Sequence, residues 1–421
     1  MILIPPWGRG FRNINKNGGS ERVKGMKDKK TIITATILAI VLVLALIAAV
    51  LAFAIRSAKD KIGKDKEEIT KETSQITETE TEEESETETE EESETETETE
   101  TETTTETVTT TTTTAQSTSA VSAGYAGSLS VSGTKLVGES GSIVTLRGVS
   151  THGLAWYPSY VNEAAFKTLR DDYGINLIRL AMYTMEYGGY CNGGDKSALK
   201  ALIDTGVKAC ANLNMYCIID WHILSDSNPN TNINEAKTFF AEMAEKYASY
   251  DNVLYEICNE PNGGTSWSDI KSYADTIIPI IRQYDSDAII IVGTPTWSQD
   301  VDAVISNPVA NSYNVMYAVH FYAATHTDYN RQKVVTALNA GIPVFFSEFS
   351  ICDASGNGSV DYTSASAWFD LIDQYDIPYA AWNLSNKNES SALINSSCSK
   401  TSGWTYDELS VTGQWILTQS N

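Results

Sequence analysis

The chain has 421 residues, room for two or three ordinary domains or for one large α/β barrel with appendages. Its formal net charge is −24, and the acidity is uneven: residues 72–122 carry 17 Glu and no base, whereas residues 1–31 carry eight Lys or Arg against two acids. With no basic face outside that N-terminal arm, nucleic acid is not an expected partner.

The basic arm, residues 1–30, leads into residues 31–55, which hold no charge and consist mostly of Ile, Leu, Val and Ala. As a helix rising roughly 1.5 Å per residue, this run exceeds a ~30 Å hydrocarbon core. Ala52-Phe53-Ala54 fits a signal-cleavage pattern, but the run exceeds the roughly 7–15 residue core of a signal peptide. A transmembrane signal anchor is therefore expected. The basic excess before it predicts a cytoplasmic N-terminus, with the remainder at the cell surface, or secreted if the helix is cleaved. Residues 56–126 follow as a Glu/Thr-rich linker, with too little apolar surface to offset the entropy of ordering. Its like charges predict an extended, disordered tether.

From residue 127 to 421 the composition becomes globular. Leu129-Ser130-Val131 and Lys135-Leu136-Val137 predict a small hairpin turned at Ser132-Gly133. Short apolar runs then predict strands at 144–150, 176–183, 215–221, 252–259, 288–293, 315–322, 343–349 and 379–384. Helical segments follow them at about 162–173, 196–213, 233–249, 266–284, 299–306, 331–340, 363–375 and 408–418. In the fourth, Ile270, Tyr273, Ala274, Ile277, Ile278 and Ile281 make one apolar stripe. Such alternation predicts a (β/α)8 TIM barrel, and no Gly-rich phosphate fingerprint follows any strand to favour an open doubly wound sheet. The six cysteines match no zinc spacing, and Cys217 and Cys258 sit inside strand runs as buried thiols.

In such a barrel the C-terminal strand tips converge on one mouth, where active sites lie. The tips offer His152 and Trp156, Arg179 and Tyr183, Asp220 and His222, Asn259 and Glu260, Trp297, His320 and Tyr322, Glu348, and Trp382 with Lys387 and Glu389. Three of the chain's four histidines fall in this set. Cleaving an acetal needs one carboxylic acid to protonate the leaving oxygen and one carboxylate to stabilise or attack the cationic carbon. Glu260 and Glu348, on strands four and seven, would face each other across the mouth. Tryptophans around them suit pyranose rings, whose C–H faces pack on indole. A single Glu would more often be a structural ion-pair partner or a surface carboxylate. Two at facing tips, one of them after Asn, predict catalysis.

These motifs resemble glycoside hydrolase family 5, in the clan of barrels with catalytic glutamates on strands four and seven. The matching runs are Arg147-Gly148-Val149-Ser150-Thr151-His152-Gly153-Leu154, Asn176-Leu177-Ile178-Arg179-Leu180-Ala181-Met182-Tyr183 and Ile219-Asp220-Trp221-His222. Glu256-Ile257-Cys258-Asn259-Glu260-Pro261, Val319-His320-Phe321-Tyr322, Phe346-Ser347-Glu348-Phe349 and Trp382-Asn383-Leu384-Ser385-Asn386-Lys387-Asn388-Glu389 continue them. The Lys387/Glu389 pair resembles the family's bacterial endo-β-1,4-glucanases; Ser350 stands where the family often has Gly.

The resemblance implies a retaining hydrolysis of cellulose and related β-glucans, with Glu348 as nucleophile and Glu260 as acid/base. Arg179, Asn259, His320, Tyr322 and His222 would support them. His152, Trp156, Tyr183, Trp382, Lys387 and Glu389 would bind sugars on the non-reducing side, and Trp297 on the leaving-group side. No metal or cofactor is implied, and a monomeric catalytic domain is expected. Mannanase, xyloglucanase and mixed-linkage glucanase are the alternatives within the family. A non-catalytic surface glycan-binding protein is the alternative outside enzymes, and the presence of both glutamates speaks against it.

Overall fold

The computed structural model describes residues 125–419. The basic arm, the membrane span expected at 31–55 and nearly all of the expected linker lie outside the described residues. Among the described residues no helix is long and apolar enough to cross a membrane.

A short antiparallel hairpin comes first, β1 (Ser130–Ser132) and β2 (Lys135–Val137), with Val131 opposite Leu136. Eight parallel strands follow: β3 (Arg147–Thr151), β4 (Leu177–Tyr183), β5 (Tyr216–His222), β6 (Val253–Glu256), β7 (Ile290–Val292), β8 (Val315–Tyr322), β9 (Val344–Ser350) and β10 (Tyr379–Leu384). They close in the order β10-β3-β4-β5-β6-β7-β8-β9. Helices α1 (Glu163–Tyr173), α2 (Lys196–Asn212), α3 (Ile233–Tyr247), α4 (Trp267–Arg282), α5 (Asp328–Asn339), α6 (Tyr362–Tyr375) and α7 (Val411–Thr418) surround it.

Helix starts follow their capping chemistry. Asn162 caps α1 by accepting the Ala165 N–H, and Ser266 with Asp269 forms a reciprocal capping box on α4. Gly174 ends α1 at φ 69°, a left-handed conformation that glycine adopts without a Cβ clash.

Each barrel strand is buried on both faces, and its alternation assigns the faces. On β4, Ile178, Leu180 and Met182 pack outward under the helices, while Leu177 joins the cluster inside the barrel floor. That floor also holds Tyr216, Ile218, Leu254, Ile291, Met316, Ala318 and Phe345, together with Leu129 and Leu136 of the hairpin. The hairpin thus closes the N-terminal mouth, tied by Val131 N–H to Asn314 Oδ1 at 2.9 Å. The inward positions above the floor belong to Arg179, Asp220, Glu256 and His320. The site is therefore built on the upper layers of the barrel itself.

Two expectations are corrected. The helix expected at 299–306 is only a 3-10 turn, Val301–Val304. Before it, Thr296, Trp297 and Ser298 take φ of 59°, 54° and 55°, so the backbone of this loop turns left-handed. The strand expected over 252–259 ends at Glu256; beyond it only single bonds to the neighbours remain, Ile257 N–H to Ile291 O at 3.0 Å and Asn259 N–H to Trp221 O at 3.2 Å.

Candidate active site

The strand tips meet in one cleft of about 590 Å³. His152, Trp156, Tyr183, His222, Glu260, Trp297, His320, Tyr322, Glu348, Trp382, Lys387 and Glu389 all line it. Arg179 and Asn259 stand behind the lining, fully buried. The loops after β7 and β9 add Gln299, Ala354, Ser355 and Gly356, which motif reasoning missed. Their small or neutral side chains carry no signature outside the fold.

Glu348 is held from two sides. Tyr322 OH donates to Oε1 at 2.8 Å, and Arg179 Nη1 donates to Oε2 at 3.2 Å. Burial and then the negative charge of Glu348 push the Tyr322 hydroxyl well above its ordinary range, so it remains a donor. Arg179 also bonds Glu256 Oε2 through Nε at 2.7 Å, Asn259 Oδ1 through Nη2 at 2.6 Å, and lies 3.0 Å from Asp220 Oδ2. Burial alone would lower the guanidinium's affinity for its proton, but the carboxylates of Asp220, Glu256 and Glu348 raise it.

Glu260 has a different neighbour. His320 Nδ1 lies 3.0 Å from its Oε1, and His320 Nε2 lies 3.0 Å from Ser347 Oγ. Burial disfavours charge on His320, yet the nearby Glu256 and Glu260 carboxylates, 3.6 and 3.0 Å from its nitrogens, outweigh burial and raise the ring to about 9. His320 is an imidazolium over the neutral range. His222 is the opposite case: burial, then the Arg179 charge, lowers it to about 3. It stays neutral, bonded through Nδ1 to Asp220 at 2.6 Å and stacked on Trp382 with centroids 5.2 Å apart.

The tip of β6 is anchored independently of these contacts. Asn259 Nδ2 donates to Ile223 O at 3.1 Å, and Asn262 Nδ2 donates to Glu260 O at 2.9 Å. Ser298 Oγ donates to Asn259 O at 2.6 Å, and Trp297 N–H to Pro261 O at 2.9 Å. The approach of that loop depends on Gly293, where a Cβ would lie 2.2 Å from Cys258 O. These bonds hold the left-handed stretch that presents Trp297, 45% exposed, to the cleft.

At the other end, Trp156, Tyr183, Trp382 and His152 form an aromatic wall, with His152 4.8 Å from the Tyr157 ring and Trp156 4.6 Å from Tyr183. Burial and then the Lys387 charge lower His152 to about 3, leaving a neutral ring. Lys387 Nζ pairs with Glu389 Oε2 at 2.7 Å, which places a donor and an acceptor side by side at the rim. Aromatic faces beside paired polar groups suit a pyranose chain.

One oxygen each of Glu260 and Glu348 and a ring nitrogen of His320 lie within 4.8 Å of one another. That composition would also suit a cation, but here the two Glu348 oxygens and both His320 nitrogens already have partners. The arrangement supplies a carboxylate locked by donors, facing a carboxyl bonded, among the described residues, to a histidine. Such an asymmetric pair is what acetal hydrolysis requires.

The family description "Cellulase (glycosyl hydrolase family 5)" matches residues 137–388. Over 298 residues the chain is 48% identical to Endoglucanase A of Butyrivibrio fibrisolvens, covering 70% of this chain and 69% of that protein. It is 49% identical to an endoglucanase of Clostridium saccharobutylicum, over 70% of this chain and 66% of that one. Among solved structures, the catalytic domain of Thermobifida fusca endoglucanase Cel5A in complex with cellotetraose superposes with a TM-score of 0.65 at 38% identity, covering 70% of this chain and 97% of that one. On the family match and these identities, the chain belongs to glycosyl hydrolase family 5, the cellulase family.

Proposed function

We propose that the protein is an endo-β-1,4-glucanase that hydrolyses internal bonds of cellulose and related β-glucans with retention. The observation that carries this reading is the approach of Glu260 and Glu348 oxygens to within 4.8 Å across one aromatic-walled cleft. Retaining pairs stand about 5–5.5 Å apart and inverting pairs about 6.5–9.5 Å, so oxygens this near one another support retention. The names of the relatives and the cellotetraose bound to one of them support the substrate class.

In the first step a Glu348 oxygen attacks the anomeric carbon as the glycosidic C–O bond breaks. Glu260 gives its proton to the departing oxygen, and a glycosyl ester of Glu348 remains. Arg179 and Tyr322 aim the nucleophile and stabilise its charge until it is shared with carbon. In the second step Glu260, now a carboxylate, takes a proton from water as that water attacks the same carbon and frees Glu348. His320 steadies Glu260 in both steps, and Asn259 ties Arg179 to the neighbouring loop. His152, Trp156, Tyr183, Trp382, Lys387 and Glu389 hold the glycone, while Trp297 supports the leaving chain and His222 backs Trp382.

The test is Glu260→Gln, assayed on carboxymethyl cellulose and on dinitrophenyl β-cellobioside. The first substrate needs a proton on its leaving group and should lose a factor of roughly 10²–10⁴. The second should keep its first step. Near-normal turnover of the polysaccharide would remove Glu260 as the acid. Lichenan, mannan and xyloglucan in parallel would rank the substrates.

We also infer that the domain spanning 127–421 works outside the cell. The uncharged run 31–55 would anchor it, with 1–30 cytoplasmic and 56–126 as an acidic tether. Protease treatment of intact cells should release active enzyme; activity confined to the cytosolic fraction would contradict this.

A further inference from the structure

Glu256 and Ser347 stand one layer beneath the two catalytic carboxyls, and the steps above leave both without a task. Glu256 ends β6 fully buried, a charged side chain within an apolar strand. Ser347 reaches the same layer because β9 is bulged. Ala318 pairs with Phe345 but His320 pairs with Glu348, so β9 has one extra residue over that interval. A bulge of this kind re-aims side chains, and here Ser347 and Glu348 both supply polar atoms to the interior.

The hydrogen bonds in this layer permit one assignment of protons. Glu256 Oε2 accepts from Arg179 Nε, and Oε1 accepts from the Ser347 hydroxyl at 2.7 Å. Burial would raise the Glu256 carboxyl, but the Arg179 charge and the neighbouring His320 ring, 3.6 Å away, outweigh it and hold the group at about 2. An ionised carboxylate only accepts, and a serine hydroxyl has one proton to give. That proton goes to Glu256, so toward His320 Nε2, 3.0 Å away, Ser347 can only accept. We propose that Ser347 and Glu256 are positioning residues that keep a proton on His320 Nε2 and so reserve Nδ1 for Glu260. This rests on Glu260 being the acid/base.

The remaining charged groups around His320 agree with that assignment. Glu348 on β9 favours the charged ring, and Asp220 on β5 also interacts with it, while neutral His326 follows in the loop after β8. With both nitrogens protonated, Nδ1–H donates to Glu260 Oε1. The proton delivered to substrate then sits on Oε2, and the carboxylate left behind keeps its donor.

The test follows the ring itself. The chain has four histidines, so the His320 ring nitrogens can be resolved by NMR in the intact protein and assigned with His320→Gln. Wild type should show both nitrogens protonated through neutral pH. In Ser347→Ala and Glu256→Gln the ring should lose its charge at least about one pH unit lower. Ser347→Thr, which keeps the hydroxyl, should behave as wild type. In kinetics, Ser347→Ala should lower kcat/KM on carboxymethyl cellulose about tenfold. On dinitrophenyl β-cellobioside, where no proton is needed, the change should stay under about twofold. An unchanged ring in Ser347→Ala, or equal losses on both substrates, would overturn the proposal. If Glu256→Gln does not fold, the Ala and Thr variants at Ser347 carry the test. If Glu260→Gln retains polysaccharide turnover, the acid assignment fails, and the ring signals still report the tautomer separately.

Discussion

Replacing Arg179 with Met tests whether a buried charge balance holds the site together. The guanidinium is fully buried and contacts Asp220, Glu256 and Glu348 within 3.2 Å. Its removal leaves the Glu256 and Glu348 carboxylates facing one imidazolium, His320. Breaking a buried pair by removing one partner costs about 3–5 kcal/mol. A second route gives a similar size. Glu256 is held at about 2 against an ordinary 4.5, and at 1.36 kcal/mol per pH unit that is roughly 3 kcal/mol of net stabilisation. With an unfolding entropy of about 2.1 cal/mol/K per residue over ~295 residues, this corresponds to a fall in Tm of about 5–8 °C. The pH dependence is the sharper readout. A carboxyl depressed in the folded state adds stability above its unfolded value, and that contribution is lost as pH falls through the folded value. Glu256 therefore stabilises wild type fully above about pH 5 and progressively less toward about pH 2. In Arg179→Met this contribution is already reduced, so the gap between the two melting curves should narrow from pH 5 downward. Calorimetry across that range measures it. A gap that stays constant with pH, or is under about 1 kcal/mol at neutrality, would show that these carboxylates do not depend on the Arg179 charge.

Wild-type stability should itself peak near neutrality. His320, raised to about 9, contributes stability that is full below its unfolded value near 6.5 and lost as pH rises through about 9. His222 and His152, each lowered to about 3 by burial, contribute stability that is full above about 6.5 and lost as pH falls toward 3. Melting temperatures in a pH series should thus fall on both sides, and His320→Gln should remove the alkaline fall; an alkaline limb that survives would assign it elsewhere. Trp297→Ala should raise KM on long glucans about 5–30-fold, the loss of roughly 1–2 kcal/mol of contact, and leave an aryl cellobioside nearly unaffected. Equal effects on both would move Trp297 off the leaving-group side.

Legibility in the sequence followed how far each feature depends on local pattern. Parallel barrel strands are buried on both faces, so runs such as Leu177–Tyr183 and Tyr216–His222 read as mainly apolar segments, broken by Arg179 and Asp220, whose ends can be placed within a residue or two. The cleft lining, from His152 to Glu389, is legible because the fold sends every tip to one mouth. Glu256 and Ser347 were hidden for two reasons. Glu256 ends β6 but sits four residues before the Glu260 tip, inside the run expected over 252–259, and the entry of Ser347 depends on a register shift that only the β8–β9 pairing reveals. One signal was available: a Glu amid Leu254, Tyr255 and Ile257 is costly unless something pairs it. The segment 299–306 misled because its apolar spacing resembles a helix. The left-handed residues Thr296 to Ser298 are set by bonds to Asn259 and Pro261, contacts distant in sequence.

The same network explains why the two glutamates are given unlike neighbours. In the proposed double displacement the negative charge would start on Glu348, with Glu260 as the proton donor. In the proposed glycosyl ester it would lie on Glu260, with Glu348 neutralised by the bond to sugar. The total does not change; one unit of charge moves across less than 4.8 Å. Each end of that path has its own cation, Arg179 at Glu348 and His320 at Glu260. Glu256 touches Arg179 directly and lies 3.6 Å from His320 Nε2 with Ser347 bonded to both, so one fixed carboxylate would balance both cations whichever end holds the moving charge. Fixed dipoles and charges that need no rearrangement as charge develops lower the barrier most. The buried layer beneath the cleft would therefore serve both halves of the proposed cycle with one geometry.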